Sequence, residues 1–389
     1  MINVKSKLDC CGCTACLVSC PKNAISMQSD ALGFLFPIID NEKCIECGIC
    51  DKVCAFNDDY DKSSNFEKPV AYAVRHKDLN EMIKSRSGAA FVAISDEILK
   101  QGGIVYGAGY DENNKVLHKK ATNQKERDDF RGSKYVQSEM GSTFRDVRKD
   151  LEKGLKVLFS GTPCQTAGLS SYLGKRNRNN LFLLDIVCHG VPSPLIWKDY
   201  IAYQERKFHN KIVSSNFRDK ELGWKAYKES FTLSDGKKIF DNLFKFLFLK
   251  NLILRNSCSK CHYSNVIRPS DITIGDFWGW EKVVPDFNKD DRGISLVFCN
   301  TEKGYKLFQS ILDSINYIEV PVEKCLQPNL IAPSIPHPKR EQLEKDYSLH
   351  GFDYVAKHYG NKNFSYKCRI LLSKIYRTSK KLILNKLPQ

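Results

Sequence analysis

A chain of 389 residues has room for two or three domains, and its 42% hydrophobic content supports an ordinary globular core. No run approaches the roughly 18 apolar residues of a membrane-spanning helix; the longest candidate, 246–254, is broken by Lys250 and Asn251. The net charge of +15 suits an anionic partner, yet no zinc-finger, helix-turn-helix or RNA-module signature accompanies it, so no nucleic-acid partner is expected.

Sixteen cysteines are many, and the opening residues Met1-Ile2-Asn3-Val4-Lys5 show no apolar export signal. Clustered thiols without such a signal point to a reducing cytoplasm and to metal ligation. Cys10, Cys13, Cys16 and Cys20 form a C-x2-C-x2-C-x3-C run, and Cys44, Cys47, Cys50 and Cys54 repeat it. This spacing wraps a cubane of iron and sulfide, and in two-cluster ferredoxins the fourth cysteine of each run ligates the other cluster. The expected sets are therefore Cys10, Cys13, Cys16 with Cys54, and Cys44, Cys47, Cys50 with Cys20. The spacing selects Cys10 over its neighbour Cys11, and the small residues Gly12 and Gly48 relieve crowding in the loops. Ala55 follows Cys54 where ferredoxins usually carry proline, whereas the first run keeps Pro21. A pair of zinc sites is the competing reading, but zinc thiolates usually come as two separated C-x2-4-C pairs. Residues 1–57 thus read as a ferredoxin-type module with two 4Fe-4S clusters. Residues 1–60 hold five lysines against eight acids, a local excess of negative charge in a basic chain.

Residues 58–69 are polar and read as a linker. An apolar strand at 70–74 opens the next domain, and a helix is expected over 87–101, with Ser87 as N-cap and Gly102-Gly103 as its end. A strand at 103–110, a helix near 142–153 and a buried strand at 156–160 follow. Thr162-Pro163 starts another helix, 181–187 is a further buried strand, and Ser193-Pro194 opens a helix. Residues 211–241 read as strand and turn, with 234–237 as a hairpin turn. Alternating strands and helices joined to antiparallel pairing give an α+β, or mixed α/β, fold.

Cys164 lies at a helix start just after one strand, Cys188 at the end of the next, and Cys258 and Cys261 form a C-x2-C pair. Strand ends of a parallel sheet open onto one crevice, where ligands bind. A helix amino terminus favours the thiolate that metal needs. The spacing alone leaves two readings open: a third metal centre, or buried structural thiols beside a small metal clip. Cys299, Cys325 and Cys368 stand alone and read as core residues.

Several stretches in order resemble the beta-subunit family of coenzyme F420-reducing hydrogenases and dehydrogenases. They are Ser85-Arg86-Ser87-Gly88, residues 132–138, residues 159–165, residues 187–193, Cys258 with Cys261, and residues 271–279. On this resemblance, 70–327 is expected to be a flavin and iron–sulfur domain. It implies FAD beside a third 4Fe-4S cluster on Cys164, Cys188, Cys258 and Cys261. Arg86, Ser87, Gly88 and Lys134 are the expected contacts for the flavin phosphates, and Tyr135 and Gln137 for its ring or ribityl chain. Ala89 stands where that family often has a second glycine. His189 and His262 follow expected ligands and read as histidines bonded to carbonyls, with proton donation near a flavin as the alternative. Some similar chains are associated with cell-surface polysaccharide synthesis.

The remaining stretch, 328–389, reads as an extended connector from Pro328 to Pro338 and a basic tail. Residues 354–389 hold nine Lys or Arg and no acid. A basic amphipathic helix over 364–386 is a candidate for peripheral membrane contact at the inner face or for docking on a partner. The expected function is a cytoplasmic flavin-dependent iron–sulfur oxidoreductase. It exchanges electrons with a ferredoxin-like partner and acts on an organic acceptor that these residues do not name. The alternative is an electron-relay subunit that serves a separate catalytic partner.

Overall fold

The computed structural model describes residues 4, 6–56, 62–175, 178–221, 223–226 and 228–360. After the first cysteine run comes helix α1 (Ala15–Ser19), then strands β1 (Ile25–Ser29) and β2 (Leu35–Ile39), paired antiparallel; α2 (Ile49–Lys52) lies in the second run. The body continues with β3 (Asn65–His76), α3 (Leu79–Lys84), α4 (Ala90–Lys100), β4 (Ile104–Tyr110), β5 (Val116–Ala121) and α5 (Gln124–Arg127). Next come α6 (Thr143–Glu152), β6 (Val157–Gly161), α7 (Pro163–Leu173), β7 (Leu181–Ile186) and α8 (Pro194–Phe208). A meander of β8 (Ile212–Asp219), β9 (Lys228–Leu233) and β10 (Lys238–Asp241) leads to α9 (Leu243–Leu249). The chain closes with β11 (Ile272–Asp276), β12 (Ser295–Thr301), α10 (Glu302–Gln309), β13 (Ile315–Val320) and α11 (Arg340–His358).

Eight strands form one mixed sheet in the order β13-β3-β12-β11-β7-β6-β4-β5. Its centre, β11-β7-β6-β4, is parallel, and the flanking strands are antiparallel. Alternation along each strand sends neighbouring side chains to opposite faces. On β6, Leu158 joins the core under α4 and α10, while Val157 and Phe159 join the core under α6 and α7. Ala15 and Val18 of α1 enter that second core, so the amino-terminal module docks directly on the sheet's α7 side. A third core lies among α8, α9, α11 and the meander, and it takes in Leu32 and Phe34 from the β1–β2 turn. Both contacts join the module to the body, and each fully buried side chain of this size contributes about 1.5–3 kcal/mol.

The fold is mixed α/β, as expected, with differences in detail. The first body strand begins at Asn65, inside the stretch read as a linker. α4 begins at Ala90 with Ala89 as N-cap, so Ser87 does not cap it; the Ser87 hydroxyl is donated instead to the Ile294 carbonyl. Thr162 and Ser193 do cap α7 and α8, Thr162 through a reciprocal capping box with Gln165. The stretch after Pro338 is not all connector, because α11 packs on α8 through Leu343 and Phe352. The basic helix expected at 364–386 lies outside the described residues. Among the described residues no helix is long and apolar enough to cross a membrane.

Candidate functional site

The two cysteine runs share one backbone path. Two and four residues after its first cysteine, each run turns left-handed: Gly12 (φ 70°) and Thr14 (φ 68°), then Glu46 (φ 53°) and Gly48 (φ 72°). The glycines thus occupy different steps of the same loop, and each permits a φ that other residues adopt at a cost. Thr14 and Gly48 are the N-caps of α1 and α2, the short helices that carry Cys16 and Cys50.

This path brings Cys10, Cys13, Cys16 and Cys54 within one another's electrostatic field. Cys20, Cys44, Cys47 and Cys50 line a second small cavity. Burial pushes the Cys16 thiol far up and Cys54 up to about 11, and the neighbouring thiols add to both shifts. Backbone amides donate to two of the sulfurs, Gly12 to Cys10 at 3.4 Å and Ala24 to Cys20 at 3.2 Å. The Ala55 amide donates to Cys13, a bond that proline at this position would lack.

Four more thiols gather in the body. Cys164 sits in the first turn of α7, Cys188 two residues beyond β7, and Cys258 and Cys261 around a single 3-10 turn, 256–260. Each of the four feels the other three. Burial raises the Cys188 thiol well above its usual range and Cys258 to about 12, and the neighbouring thiols reinforce it. The Val191 amide donates to the Cys258 sulfur at 3.4 Å. Cys11, set aside by spacing, bridges the two regions: its thiol bonds to both Cys13 and Cys164, and lowers the Cys164 thiol. Where Gly168 of α7 meets the first loop, a Cβ would stand 3.0 Å from the Cys13 sulfur. Among the described residues no three His, Cys, Asp or Glu side chains stand close enough to hold one metal ion.

Beside these thiols, at the carboxyl ends of β6, β7 and β11, opens a cleft of about 390 Å³. Cys188 is part of its wall. One end is basic. Arg86 and Lys134 line it, Arg218 enters from β8, and Lys220 donates to the Ser87 carbonyl at 2.8 Å behind it. Burial lowers Lys134 to about 7, although Asp129 opposes the shift. Burial, then repulsion from Arg86 and Arg218, lowers Lys220 to about 7. Arg218 pairs with Asp276 and lies over the Trp278 ring, which stacks on Trp224 at 4.7 Å. The other part of the cleft is aromatic, with Tyr135 stacked on Phe248 at 4.7 Å. The first turn of α4 reaches the cleft at Ala90 and Phe91.

Of the flavin contacts expected from the resemblance, Arg86, Ser87, Lys134 and Tyr135 line this cleft. Gly88 and Gln137 do not. The Gly88 amide is bound to Ser295 Oγ, and a Cβ on Gly88 would lie 2.0 Å from the Val74 carbonyl, so this glycine serves strand packing. Gln137 turns toward the module, donating to the Cys11 carbonyl at 2.9 Å and accepting from Arg255 at 3.0 Å. His189 bonds to the Asn251 and Asn329 side chains, and His262 packs edge-on against Phe56. Asp271 binds the Leu183 amide, Thr301 and Lys303, a structural role. Sequence reasoning missed Arg218, Arg255 and Cys11. Arg218 and Arg255 carry no motif, and Cys11 was visible only as a neighbour of Cys10.

Residues 9–57 match the family model described as a 4Fe-4S dicluster domain. Residues 154–324 match the model described as the C terminus of the coenzyme F420 hydrogenase/dehydrogenase beta subunit. An iron–sulfur module is thus joined to a domain of that beta-subunit type. Among solved structures, a chain of the F420-reducing [NiFe] hydrogenase complex from Methanosarcina barkeri is 16% identical with a TM-score of 0.47; the match covers 76% of this chain and 92% of that one. No curated protein matches.

Proposed function

We propose, from an iron–sulfur module joined to a beta-subunit-type domain, that this protein is a flavin-dependent iron–sulfur oxidoreductase acting on an organic acceptor. The observation that carries this reading is the position of Cys188, which belongs to the four-thiol constellation and also walls the basic and aromatic cleft. Iron–sulfur cores supply one-electron steps, and a flavin joins them to two-electron chemistry.

The residues fit these groups. Clustered buried thiols would release their protons to solvent as a cationic metal core takes up the thiolates, and nearby amides donate to those thiolates. Cys10, Cys13, Cys16 and Cys54 would hold one cluster, Cys20, Cys44, Cys47 and Cys50 a second, and Cys164, Cys188, Cys258 and Cys261 a third. At the basic end of the cleft Arg86 and Lys134 stand beside the Arg218–Asp276 pair, with Lys220 behind, and this excess of positive charge suits an anion. A pyrophosphate supplies that anion, with the first turn of α4 adding backbone amides. Tyr135 and Phe248 offer an apolar wall for a planar ring system such as the flavin of FAD.

The module supplies the entry point. Cys47 is exposed, flanked by Ile45 (58% exposed) and Ile49 (39% exposed), which suits brief contact with a small ferredoxin-like partner. The test is anaerobic reduction with a one-electron donor while the flavin's visible band is followed. The wild-type band bleaches promptly. In Cys188→Ser it bleaches far more slowly, although the module's clusters remain reducible. Equal rates in the two proteins would reject the proposed link between thiols and cleft.

A further inference from the structure

Arg255 is buried, at 2% exposure, at the seam between module and body. A guanidinium removed from water needs anions or a full set of acceptors. Its Nε donates to the Cys10 carbonyl at 2.8 Å and its Nη2 to the Leu35 carbonyl at 2.8 Å. The same Nη2 lies 3.6 Å from the Cys10 sulfur, and Nη1 donates to Gln137 at 3.0 Å. The Phe36 ring lies 4.3 Å from the guanidinium carbon, covering it from solvent. Among the described residues no carboxylate is one of its ion-pair partners, and the Cys10 sulfur is the group it would face as an anion once that sulfur binds a cluster. Gly12 makes room for it: a Cβ there would stand 2.8 Å from Nη1. The charge also reaches the far side of the seam, where it favours the thiolates of Cys164 and Cys258.

We propose that Arg255 is a positioning residue that sets the reduction potential of the cluster held by Cys10, through a buried charge and an N–H···S bond. This rests on the reading given under Proposed function. Reduction adds negative charge to a cluster, so a desolvated cation beside its sulfur favours the reduced state and raises the potential.

The test is EPR-monitored potentiometry on the full chain purified without oxygen, comparing wild type with Arg255→Met and Arg255→Lys. In Arg255→Met, iron and sulfide stay at wild-type content. The reduced-to-oxidised ratio of the Cys10-held cluster at a fixed potential falls about tenfold, equivalent to about 59 mV for a one-electron couple. Arg255→Lys keeps the charge without the planar fork and recovers part of that loss. An unshifted midpoint in Arg255→Met, with iron intact, overturns the proposal while the wider reading stands. Loss of that cluster from both variants, with the fold retained, also overturns it and makes Arg255 a structural clamp. A wild-type protein without iron overturns the reading beneath it, and this inference falls with it.

Discussion

At the scale of single residues, Lys134 links burial to a measurable pH dependence. Its ammonium donates to the Asp129 and Arg131 carbonyls at 2.5 and 3.0 Å, yet burial holds its pKa to about 7. An anion in the cleft favours the protonated form, so binding takes up a proton and strengthens as pH falls. FAD affinity of the flavin-stripped protein is therefore expected to drop as pH rises from 6 to 8. In Lys134→Met it is weaker and flatter across that range. Fluorescence titration checks this, and an unchanged pH profile in the variant excludes Lys134 from anion binding. The eight module cysteines were legible as a spacing pattern because one short loop must carry three of them. Lys134 was legible only through a resemblance, since its burial depends on segments far away in the chain. Arg218 and Arg255 were not legible at all, for a buried arginine has the same sequence signature as a surface one. Ala89 is a further case: it adopts φ 63° at the start of α4, so the backbone shape survives without glycine, at the strain an alanine bears there.

At the scale of elements, α7 is the member that joins the two halves. Its capping box was readable from Thr162, Pro163 and Gln165, as were the strands before and after it, because caps and buried runs are local. Its contact with the first cysteine loop was not, since tertiary packing chooses which face of a helix meets which neighbour. Gly168 records that contact. Val at this position would press on Cys13 Cβ, 2.9 Å from where its own Cβ would stand. Gly168→Val is expected to cost about 1–3 kcal/mol through overpacking. Thermal unfolding should show a lower midpoint, and iron analysis a partial loss from the first set. A variant of wild-type stability and iron content would mean that the loop and α7 are not in firm contact. The capping of α4 was misjudged for a related reason. Ser87 resembled an N-cap in sequence, but the sheet claims its hydroxyl through Ile294.

At the scale of the whole molecule, the fold brings thiols of the module to those of the body, and these to one cleft. The module's outer set opens to solvent at Cys47, its inner set meets the body through Cys11 and α7, and Cys188 borders the cleft. The parallel centre of the sheet sends the ends of β6 and β7 the same way, so Cys164 and Cys188, which follow those strands, come to one edge. The central claim is that the body's four thiols hold a cluster between the module and a flavin. Counting iron, sulfide and flavin in protein purified without oxygen tests it most directly. The account predicts about twelve irons and one FAD per chain, falling to about eight irons in Cys188→Ser. Eight irons in the wild type, or zinc in place of iron, would contradict it.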